Sequence, residues 1–313
     1  MAKLKQDKKK IGIPYVLTHF LLKCDWEKFF EILGNEVVYT KSSTYKKFKT
    51  GSKYSVSDQC LPVKTFYGHI IELKDKVDYI FVPQIVSLRK DTYSCPQIIG
   101  APLLAQAIPL DLPPVITFAL DLNYPEISFC RAINLAFKLT KNPYRVYKGV
   151  RFLRKNIRNI LFAEISKDQA YKPVESIAVI GRKYALNDPF ISMNIIDKIK
   201  KYGLPVVTSE DIENFTIKDA AYFNCKPVHW YSGQNLIAAA DYFVKDHNIK
   251  GIIYLNYFGC GIDAFTEEVF KTELSKNKPY LCLSLDEHTG EAGIMTRIEA
   301  FIDMIIRKKK IGS

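Results

Sequence analysis

The sequence predicts an α/β protein with two halves, each built from parallel strands that alternate with helices. Short apolar runs alternate with amphipathic stretches, and this alternation starts again after the polar stretch DQAYKPVES at residues 168–176. With 313 residues, of which 48% are apolar, the chain can bury a sizeable core and is long enough for two domains. We therefore expect an N-terminal α/β domain over residues 1–172 and a C-terminal α/β domain over residues 173–313.

The individual elements follow from hydrophobic periodicity. In the first half, strands are predicted at KIGIP, EVVYT, DYIFVPQIV and PPVITFALD, and helices at CDWEKFFEILG, LPVKTFYGHIIELKDK, ISFCRAINLAFKL and the basic stretch RVYKGVRFLRKNIR. In the second half, strands are predicted at SIAVIGR, LPVVT, GIIYLNYFG and PYLCLSLD, and helices at PFISMNIIDKIKKYG, GQNLIAAADYFVKDH and GIMTRIEAFIDMI. Because strands and helices alternate, the sheets should be parallel and covered by helices.

Residues of the same type recur at one offset, which indicates an internal duplication. Four pairs are each separated by 165 positions: Cys95 and Cys260, Pro114 and Pro279, Asp121 and Asp286, and Glu126 and Glu291. If the halves are duplicated, Cys95 and Cys260 follow equivalent strands. Ligands of open α/β sheets bind beyond the carboxyl ends of the strands, so we expect both cysteines at a cleft between the halves.

Charge and composition limit the kinds of binding partner and the cellular location that we expect. The formal charge is +12, but many lysines lie in the terminal runs KLKQDKKK and RKKK, which are typical of solvated tails. No nucleic-acid-binding module is recognisable, and an anionic small molecule or an acidic protein suits the charge as well. No stretch is long and apolar enough for a membrane span, and no signal peptide is recognisable. Seven cysteines without a secretory signal predict a reducing, cytoplasmic location.

Three of the cysteines have settings typical of ligands. Cys60, Cys95 and Cys260 each lie at a turn or a helix start beside Gly or Pro. Ser57 or Asp58 can cap the helix that follows Cys60. We expect Cys130 and Cys282 to pack in the core, whereas the sequence leaves the roles of Cys24 and Cys225 open. A bare cysteine at a strand end can also be a small buried hydrophobe, so a metal-free protein with packed thiols is an alternative.

The spacing of these thiols favours an iron-sulfur cluster over zinc. The close ligand pairs of structural zinc sites are missing, whereas soft thiolates from separate strand ends suit iron-sulfur clusters. Three protein ligands on a four-iron cluster would leave one iron open to a substrate or another ligand. Polar residues nearby are candidates for supporting roles at such a site, namely Asp58, Lys64, Glu287 and His288. His69, on the same predicted helix as Lys64, is expected to pack or to be solvated.

Several common catalytic motifs are missing from the sequence. There is no GxxxxGK[ST] phosphate loop, no GxGxxG after a strand and no GxSxG turn. Nucleotide hydrolysis by this chain itself, dinucleotide binding by the usual fingerprint and serine hydrolase chemistry therefore have no support.

Motifs spread over nearly the whole chain resemble the acyl-CoA dehydratase activase-related proteins, relatives of the iron-sulfur subunits of 2-hydroxyacyl-CoA dehydratases. The segments that carry the resemblance are KIGIP, SDQCLPVK, VDYIFVPQIVS, YSCP, IGRKYALNDPFISMN, YSGQNLIAAA, NYFGCGID and DEHTGEAGIMTRIEAF. The resemblance implies two Rossmann-like or flavodoxin-like halves with a cluster between them, in an oxygen-sensitive protein of anaerobic metabolism. By motif, Cys60, Cys95 and Cys260 match the three ligands of a [4Fe-4S] cluster, and related double-cubane proteins hold a larger assembly.

The resemblance also implies partners and leaves two functions open. The ATP-driven activase module of some longer relatives is missing here, so an ATP-dependent activase or another low-potential electron donor is expected to act in trans. One function is low-potential electron transfer or reductive, 2-hydroxyacyl-CoA dehydratase-like chemistry on an acyl-CoA or another small substrate. The alternative is a non-enzymatic cluster carrier or an assembly partner of a larger complex. A homodimer is also expected, because the related proteins often pair.

Overall fold

The computed structural model describes residues 8–166, 174–212, 228–274 and 276–311. The chain divides into two compact units. The first comprises residues 1–57 and 63–163, and the second comprises residues 58–62 and 164–313. The predicted boundary between residues 172 and 173 lies outside the described residues, as does Cys225.

The first unit is built on a parallel sheet of four strands in the order β2-β1-β3-β5, beside which β4 and β6 form a further parallel pair. Its elements in chain order are β1 (Lys10–Ile13), α1 (Thr18–Leu21), α2 (Trp26–Ile32), β2 (Glu36–Tyr39), α3 (Tyr45–Ser52), α4 (Leu61–Glu72), β3 (Tyr79–Phe81), β4 (Gln84–Ser87), α5 (Pro96–Ile99), α6 (Ala101–Gln106), β5 (Val115–Ile116), β6 (Ala119–Asp121), α7 (Pro125–Leu139) and α8 (Pro143–Ser166).

Two predicted strands of this unit are each divided in the structure. The run DYIFVPQIV forms β3 and β4, and PPVITFALD forms β5 and β6. The backbone pairing nevertheless continues along both, because Ile80, Val82 and Gln84 donate in turn to the carbonyls of Pro114, Ile116 and Phe118. The division falls at Pro83, which has no N–H to donate to a ladder.

Aromatic side chains fill the core of the first unit. Trp26 of α2 packs edge-on against Phe81 with ring centroids 4.9 Å apart, and Phe30 contacts the same ring at 5.0 Å. Helix α8 buries Val146, Leu153 and Ile157 at helical spacing and exposes a basic opposite face. The basic stretch is therefore a helix, as predicted from its periodicity.

The second unit is built on a parallel sheet of four strands in the order β10-β9-β7-β8. Its elements are β7 (Ser176–Ile180), α9 (Lys183–Asn187), α10 (Ile195–Lys200), β8 (Val206–Thr208), α11 (Tyr231–Lys245), β9 (Ile249–Tyr257), α12 (Gly261–Glu273), β10 (Tyr280–Leu285) and α13 (Glu291–Ile311). Helix α10 is shorter than the predicted PFISMNIIDKIKKYG, because Met193 and Asn194 adopt positive φ just before it. Strands β7 and β9 are buried along nearly their whole length, and α11 packs on them with Leu236, Ala240 and Phe243.

The predicted α/β architecture with parallel sheets is confirmed. Within each unit the sheet contains a first strand flanked by the second and the third, with the last strand at the edge beside the third. The prediction that Cys130 packs in the core was wrong, because its position on α7 faces solvent. Cys282 on β10 packs against the core of the second unit but is only partly buried. None of the described helices has the length and apolar character that a membrane crossing needs.

Candidate functional site

The three cysteines singled out by their sequence setting each stand immediately before a helix. Cys60 precedes α4, Cys95 is the N-cap residue of α5, and Cys260 is the N-cap residue of α12. The sequence placed the start of α4 two or three residues earlier, with Ser57 or Asp58 as its cap. The first turns of helices carry backbone N–H groups that lack intrahelical partners and a partial positive charge, which favour an anionic sulfur.

Cys260 lies in a tight loop at the carboxyl end of β9. Its preceding residue, Gly259, has a φ of +76°, and a Cβ added there would lie 3.1 Å from the carbonyl oxygen of Asp58. A side chain at this position would therefore be strained by its backbone and crowded by the segment Asp58–Pro62. That segment belongs to the second unit, so Cys60 and Cys260 lie within the same compact part of the chain.

A buried ion pair lies beside Cys260. Arg182, directly after β7 and Gly181, is 4% exposed, and Asp263 in the first turn of α12 is 1% exposed. Arg182 donates from Nε and Nη2 to Oδ1 of Asp263 at 2.9 and 2.7 Å, and from Nη2 to the Cys260 sulfur at 3.4 Å. Its Nη1 donates to the hydroxyl of Ser232 on α11 at 3.1 Å. The guanidinium thus joins the ends of β7, α11 and α12 at the sulfur.

Two tyrosines of β9 complete the partners of Asp263. The hydroxyl of Tyr254 donates to Oδ1 at 3.0 Å, and the backbone N–H of Tyr257 donates to Oδ2 at 3.2 Å. Burial, the largest single influence, would lower the pKa of Arg182, but the Asp263 carboxylate together with Tyr184, Cys260 and Tyr254 holds the pKa well above its usual range. Burial, followed by the charge of Asp263, raises the pKa of Tyr254. The network therefore carries a protonated guanidinium and a neutral phenol at neutral pH.

Tyr184 and Tyr257 form a buried aromatic pair, and Tyr184 senses the charge of both thiols of this unit. Their rings are 6.0 Å apart, and the hydroxyl of Tyr257 donates to the carbonyl of Ile191 at 3.2 Å. Burial is the main cause that raises the pKa of Tyr184, and Cys260 and Cys60 both add to it. Burial, Asp263 and Asp188 raise the pKa of Tyr257, and Cys60 again adds to them. The structure thus brings Cys60 and Cys260 to the surroundings of one buried phenol, that of Tyr184.

Cys95 belongs to the first unit and has a different setting. It is partly buried and lies eight residues after Ser87, the last residue of β4. The Ser94 N–H donates to the Val86 carbonyl at 2.8 Å, which holds the loop before Cys95 against β4. The Cys95 carbonyl accepts from the N–H groups of Ile98 and Ile99 and begins α5. Its backbone is therefore fixed by local hydrogen bonds rather than by a buried ion pair.

The polar stretch DEHTGEAG caps the turn between β10 and α13. Asp286 accepts hydrogen bonds from the N–H of His288 and the hydroxyl of Thr289, both at 2.8 Å. Partial burial alone would raise the pKa of Asp286, but these hydrogen bonds lower it. The His288 side chain is exposed and Glu287 is partly buried. Glu291 forms an ion pair with Lys198 at 2.7 Å, which lowers the pKa of Glu291.

The other candidates for supporting roles have separate settings. Lys64 on α4 is 4% exposed and belongs to the first unit. His69, on the same helix, is fully buried between the hydroxyls of Thr40 and Ser43, at 2.5 and 2.9 Å. Of the two settings expected for His69, packed or solvated, the structure shows the packed one.

Arg182 and Asp263 were not predicted from the sequence as functional residues. Two signals were present: a charged residue directly after the apolar strand SIAVI, and an aspartate three positions after the cysteine in GCGID. Neither signal alone distinguishes a buried side chain from a solvated one. Only the pairing of β7 with β9 brings the two residues together.

The donors near Cys260 fit a metal centre built on thiolates. In the described ranges no group of three or more His, Cys, Asp and Glu side chains is arranged to hold a metal ion. Within the second unit, however, two thiols lie in the surroundings of Tyr184, and one sulfur accepts a hydrogen bond from a buried guanidinium. Soft, hydrogen-bonded sulfur ligands of this kind suit iron-sulfur clusters.

Comparison with known proteins places the chain among proteins associated with CoA-dependent enzymes. Residues 10–212 match the family described as the CoA enzyme activase uncharacterised domain. This match spans more than half of the chain, so the protein belongs to that family. Residues 198–305 match the family described as 2-hydroxyglutaryl-CoA dehydratase, D-component. The resemblance to activase-related and dehydratase-component-like proteins is therefore confirmed.

Other comparisons add little to the family assignment. No curated protein sequence matches the chain. Among solved structures, the SBP FpvC of Pseudomonas aeruginosa in complex with Ni2+ is 11% identical, with 98% of each chain covered and a TM-score of 0.24. The same protein in complex with Mn2+ is 12% identical, with 96% of this chain and 99% of that chain covered and a TM-score of 0.24. At these TM-scores the two structures carry no argument about fold or function.

Proposed function

We propose that the protein holds an iron-sulfur cluster through Cys60, Cys95 and Cys260 and uses it in low-potential redox chemistry. The observation that carries this proposal is the setting of Cys260. Its sulfur lies at a helix start, at the carboxyl end of a parallel sheet, and accepts a hydrogen bond from the buried guanidinium of Arg182. Cys60 lies in the same unit, and both cysteines lie in the surroundings of Tyr184. Cys95 enters the ligand set through its sequence motif and its N-cap position.

The protein's own residues would support such a centre in three ways. The thiolates supply the ligands, and the [4Fe-4S] form is preferred, with a larger double-cubane type as the variant. When bound, the cluster supplies one-electron transfer at low potential. Arg182 offsets the negative charge at the Cys260 sulfur, and the N–H groups of α12 add to this effect. Tyr184 and Tyr257, both almost fully buried, keep water away from the sulfurs.

The family matches supply the reaction class of the proposal. The chain combines a CoA enzyme activase-associated domain with a dehydratase D-component-like region. This combination supports reductive or 2-hydroxyacyl-CoA dehydratase-like chemistry on an acyl-CoA or another small substrate. An ATP-dependent activase acting in trans is the electron donor that we propose, in a reducing cytoplasmic environment. Asp58, Lys64, Glu287 and His288 remain candidates for supporting roles.

We also propose that the two units arose by an internal duplication. In both units a proline directly precedes the last strand of the sheet, and its carbonyl accepts from the third strand: Pro114 from Ile80, and Pro279 from Ile252. Asp121 is the last residue of β6 and Asp286 directly follows β10, and each carboxylate accepts the N–H of the residue two positions later. Shared strand order and shared end turns support descent of both halves from one unit.

A non-enzymatic cluster carrier or assembly partner is the second candidate, and helix α8 favours it. Between residues 143 and 160 this helix contains no Asp or Glu, whereas Arg145, Lys148, Arg151, Arg154 and Lys155 are exposed. Tyr144 and Tyr147 are exposed beside them at 62% and 60%. A basic face with exposed aromatic side chains suits docking on an acidic protein. A homodimer is a further proposal, which rests only on the resemblance to proteins that often pair.

Anaerobic reconstitution followed by substrate addition separates the candidates. The protein would be loaded with iron and sulfide without oxygen, and iron, sulfide, absorption and EPR spectra would be measured. Stoichiometric iron and sulfide support the cluster, and their absence overturns it. A spectral change on adding a 2-hydroxyacyl-CoA supports substrate chemistry, whereas an unchanged spectrum with normal cluster content supports the carrier.

A further inference from the structure

Hydrogen bonds fix both the backbone just before Arg182 and the Arg182 guanidinium. The residue before it, Gly181, is clamped on both sides of its peptide by Ser209, whose hydroxyl donates to the Gly181 carbonyl at 2.9 Å and accepts from the Gly181 N–H at 3.3 Å. The guanidinium itself contacts Asp263, Ser232 and Cys260. The three nitrogens of one planar fork thus contact residues of α11 and of the start of α12 at the same time.

Asp263 is the fixed anchor of this arrangement. It is 1% exposed and accepts from Tyr254 and from the backbone of Tyr257 in addition to Arg182. Because the carboxylate cannot move without breaking these hydrogen bonds, the guanidinium cannot rotate away from the sulfur. The Arg182 side chain therefore holds an N–H group and a positive charge next to the Cys260 sulfur.

We propose that Arg182 is a positioning residue that raises the reduction potential of a cluster bound through Cys260. This inference rests on the proposed function. Reduction adds one electron from a low-potential one-electron donor, makes the cluster one charge more negative, and breaks no bond of the protein. A neighbouring cation and a hydrogen bond to a ligand sulfur stabilise the more negative state more strongly. Removing them makes the cluster harder to reduce.

Two variants separate hydrogen bonding from charge. Arg182→Lys keeps the positive charge but lacks the planar fork, so it cannot serve Asp263, Ser232 and the sulfur together. The double variant Arg182→Gln with Asp263→Asn removes both charges and leaves no buried ion unpaired. Lys250→Gln is the matched control for charge, because Lys250 lies near the opposite end of β9 and pairs with Glu175 at 3.1 Å.

The measurement is an EPR-monitored redox titration with titanium(III) citrate on each reconstituted protein, with iron content and thermal unfolding recorded in parallel. At the midpoint potential of the wild type, we expect the reduced-to-oxidised ratio to fall at least tenfold in the double variant and less in Arg182→Lys. Lys250→Gln should leave the ratio unchanged. If the double variant does not fold, the change of this ratio in Arg182→Lys tests the proposal by itself.

Two results would overturn the proposal, and they differ from a failure of the proposed function. An unchanged ratio in the Arg182 variants shows that the guanidinium does not tune the cluster. An equal change in Lys250→Gln shows a general charge effect rather than a contact with the sulfur. If the wild type binds no iron after reconstitution, the proposed function itself is wrong, and the role of Arg182 falls with it.

Discussion

Cys95 and Cys260 both stand at the N-cap of a helix after a parallel strand, yet their surroundings differ. Cys260 follows β9 by three residues and contacts a buried ion pair, whereas Cys95 follows β4 by eight residues and is held by local backbone hydrogen bonds. The first unit buries a different polar group, the neutral His69, between two hydroxyls. The same strand order thus accommodates a buried ion pair beside the cysteine in one unit and a buried neutral imidazole in the other.

Breaking the buried ion pair should have the largest effect on stability. Asp263→Asn leaves the Arg182 cation buried with no carboxylate, and we expect a loss of about 3–5 kcal/mol in the free energy of unfolding. Asp121→Asn is the matched change in the first unit, where the carboxylate accepts from the Asn123 N–H, and should cost about 1 kcal/mol. Urea denaturation followed by circular dichroism measures both. Equal losses would show that the two carboxylates are equally important.

Acid should weaken the first unit through His69. Burial, and then the charge of Lys47, lowers the pKa of His69 to about 3. The unfolded chain binds a proton near pH 6.5 while folded His69 stays neutral, so stability falls as the pH drops below 6.5 and continues to fall toward 3. At pH 5 this amounts to about 2 kcal/mol.

The matched variant for this pH effect is His69→Gln. It removes the titrating ring and keeps a polar side chain near Thr40 and Ser43. Unfolding free energies at pH 7 and pH 5 should differ less in this variant than in the wild type, by about the same 2 kcal/mol. An identical pH dependence in both proteins would contradict a neutral buried imidazole.

Two glycines beside Cys260 offer a sharper test of its loop. Gly259→Ala places a Cβ at positive φ and 3.1 Å from the Asp58 carbonyl, and should cost about 1–2 kcal/mol. Gly261→Ala meets no atom within 4 Å and should be neutral or stabilise α12 by about 0.5–1 kcal/mol. Thermal unfolding compares the two. Similar effects in both variants would show that the Asp58–Pro62 segment does not pack on this loop.

Exposed and buried thiols should differ in reactivity without any effect on stability. Iodoacetamide should alkylate the exposed Cys130 in the folded, metal-free protein, whereas Cys24 is buried and its pKa is raised by burial and then by Asp25. Peptide mapping by mass spectrometry before and after urea unfolding detects the difference. Early labelling of Cys24 would contradict its burial.

Much of the fold was predictable because strand and helix periodicity is local. The strands β1, β7 and β9 and the helices α7 and α11 lie where their apolar patterns place them. The division at Pro83 and the shortening of α10 depend on a missing N–H and on two residues with positive φ, which periodicity does not report. The exposure of Cys130 depends on which face of α7 is buried.

The candidate site was predictable only in part. Gly and Pro neighbours identify Cys60, Cys95 and Cys260 as residues at helix starts, because these residue types set the local backbone. Arg182 and Asp263 are 81 positions apart, and only the pairing of β7 with β9 makes them neighbours. From sequence alone, a charged residue at a strand end is predicted to be solvated, because the element that covers it is not known.

The most direct test of the proposed centre compares cysteine variants after anaerobic reconstitution. Iron, sulfide and EPR spectra would be measured for the wild type, for Cys60→Ser, Cys95→Ser and Cys260→Ser, and for Cys130→Ser as the control at an exposed thiol. We predict stoichiometric iron in the wild type and in Cys130→Ser, and lost or altered cluster signals in each of the other three. Full cluster content and unchanged spectra in those three variants, or a wild type without iron, would contradict the proposed ligand set.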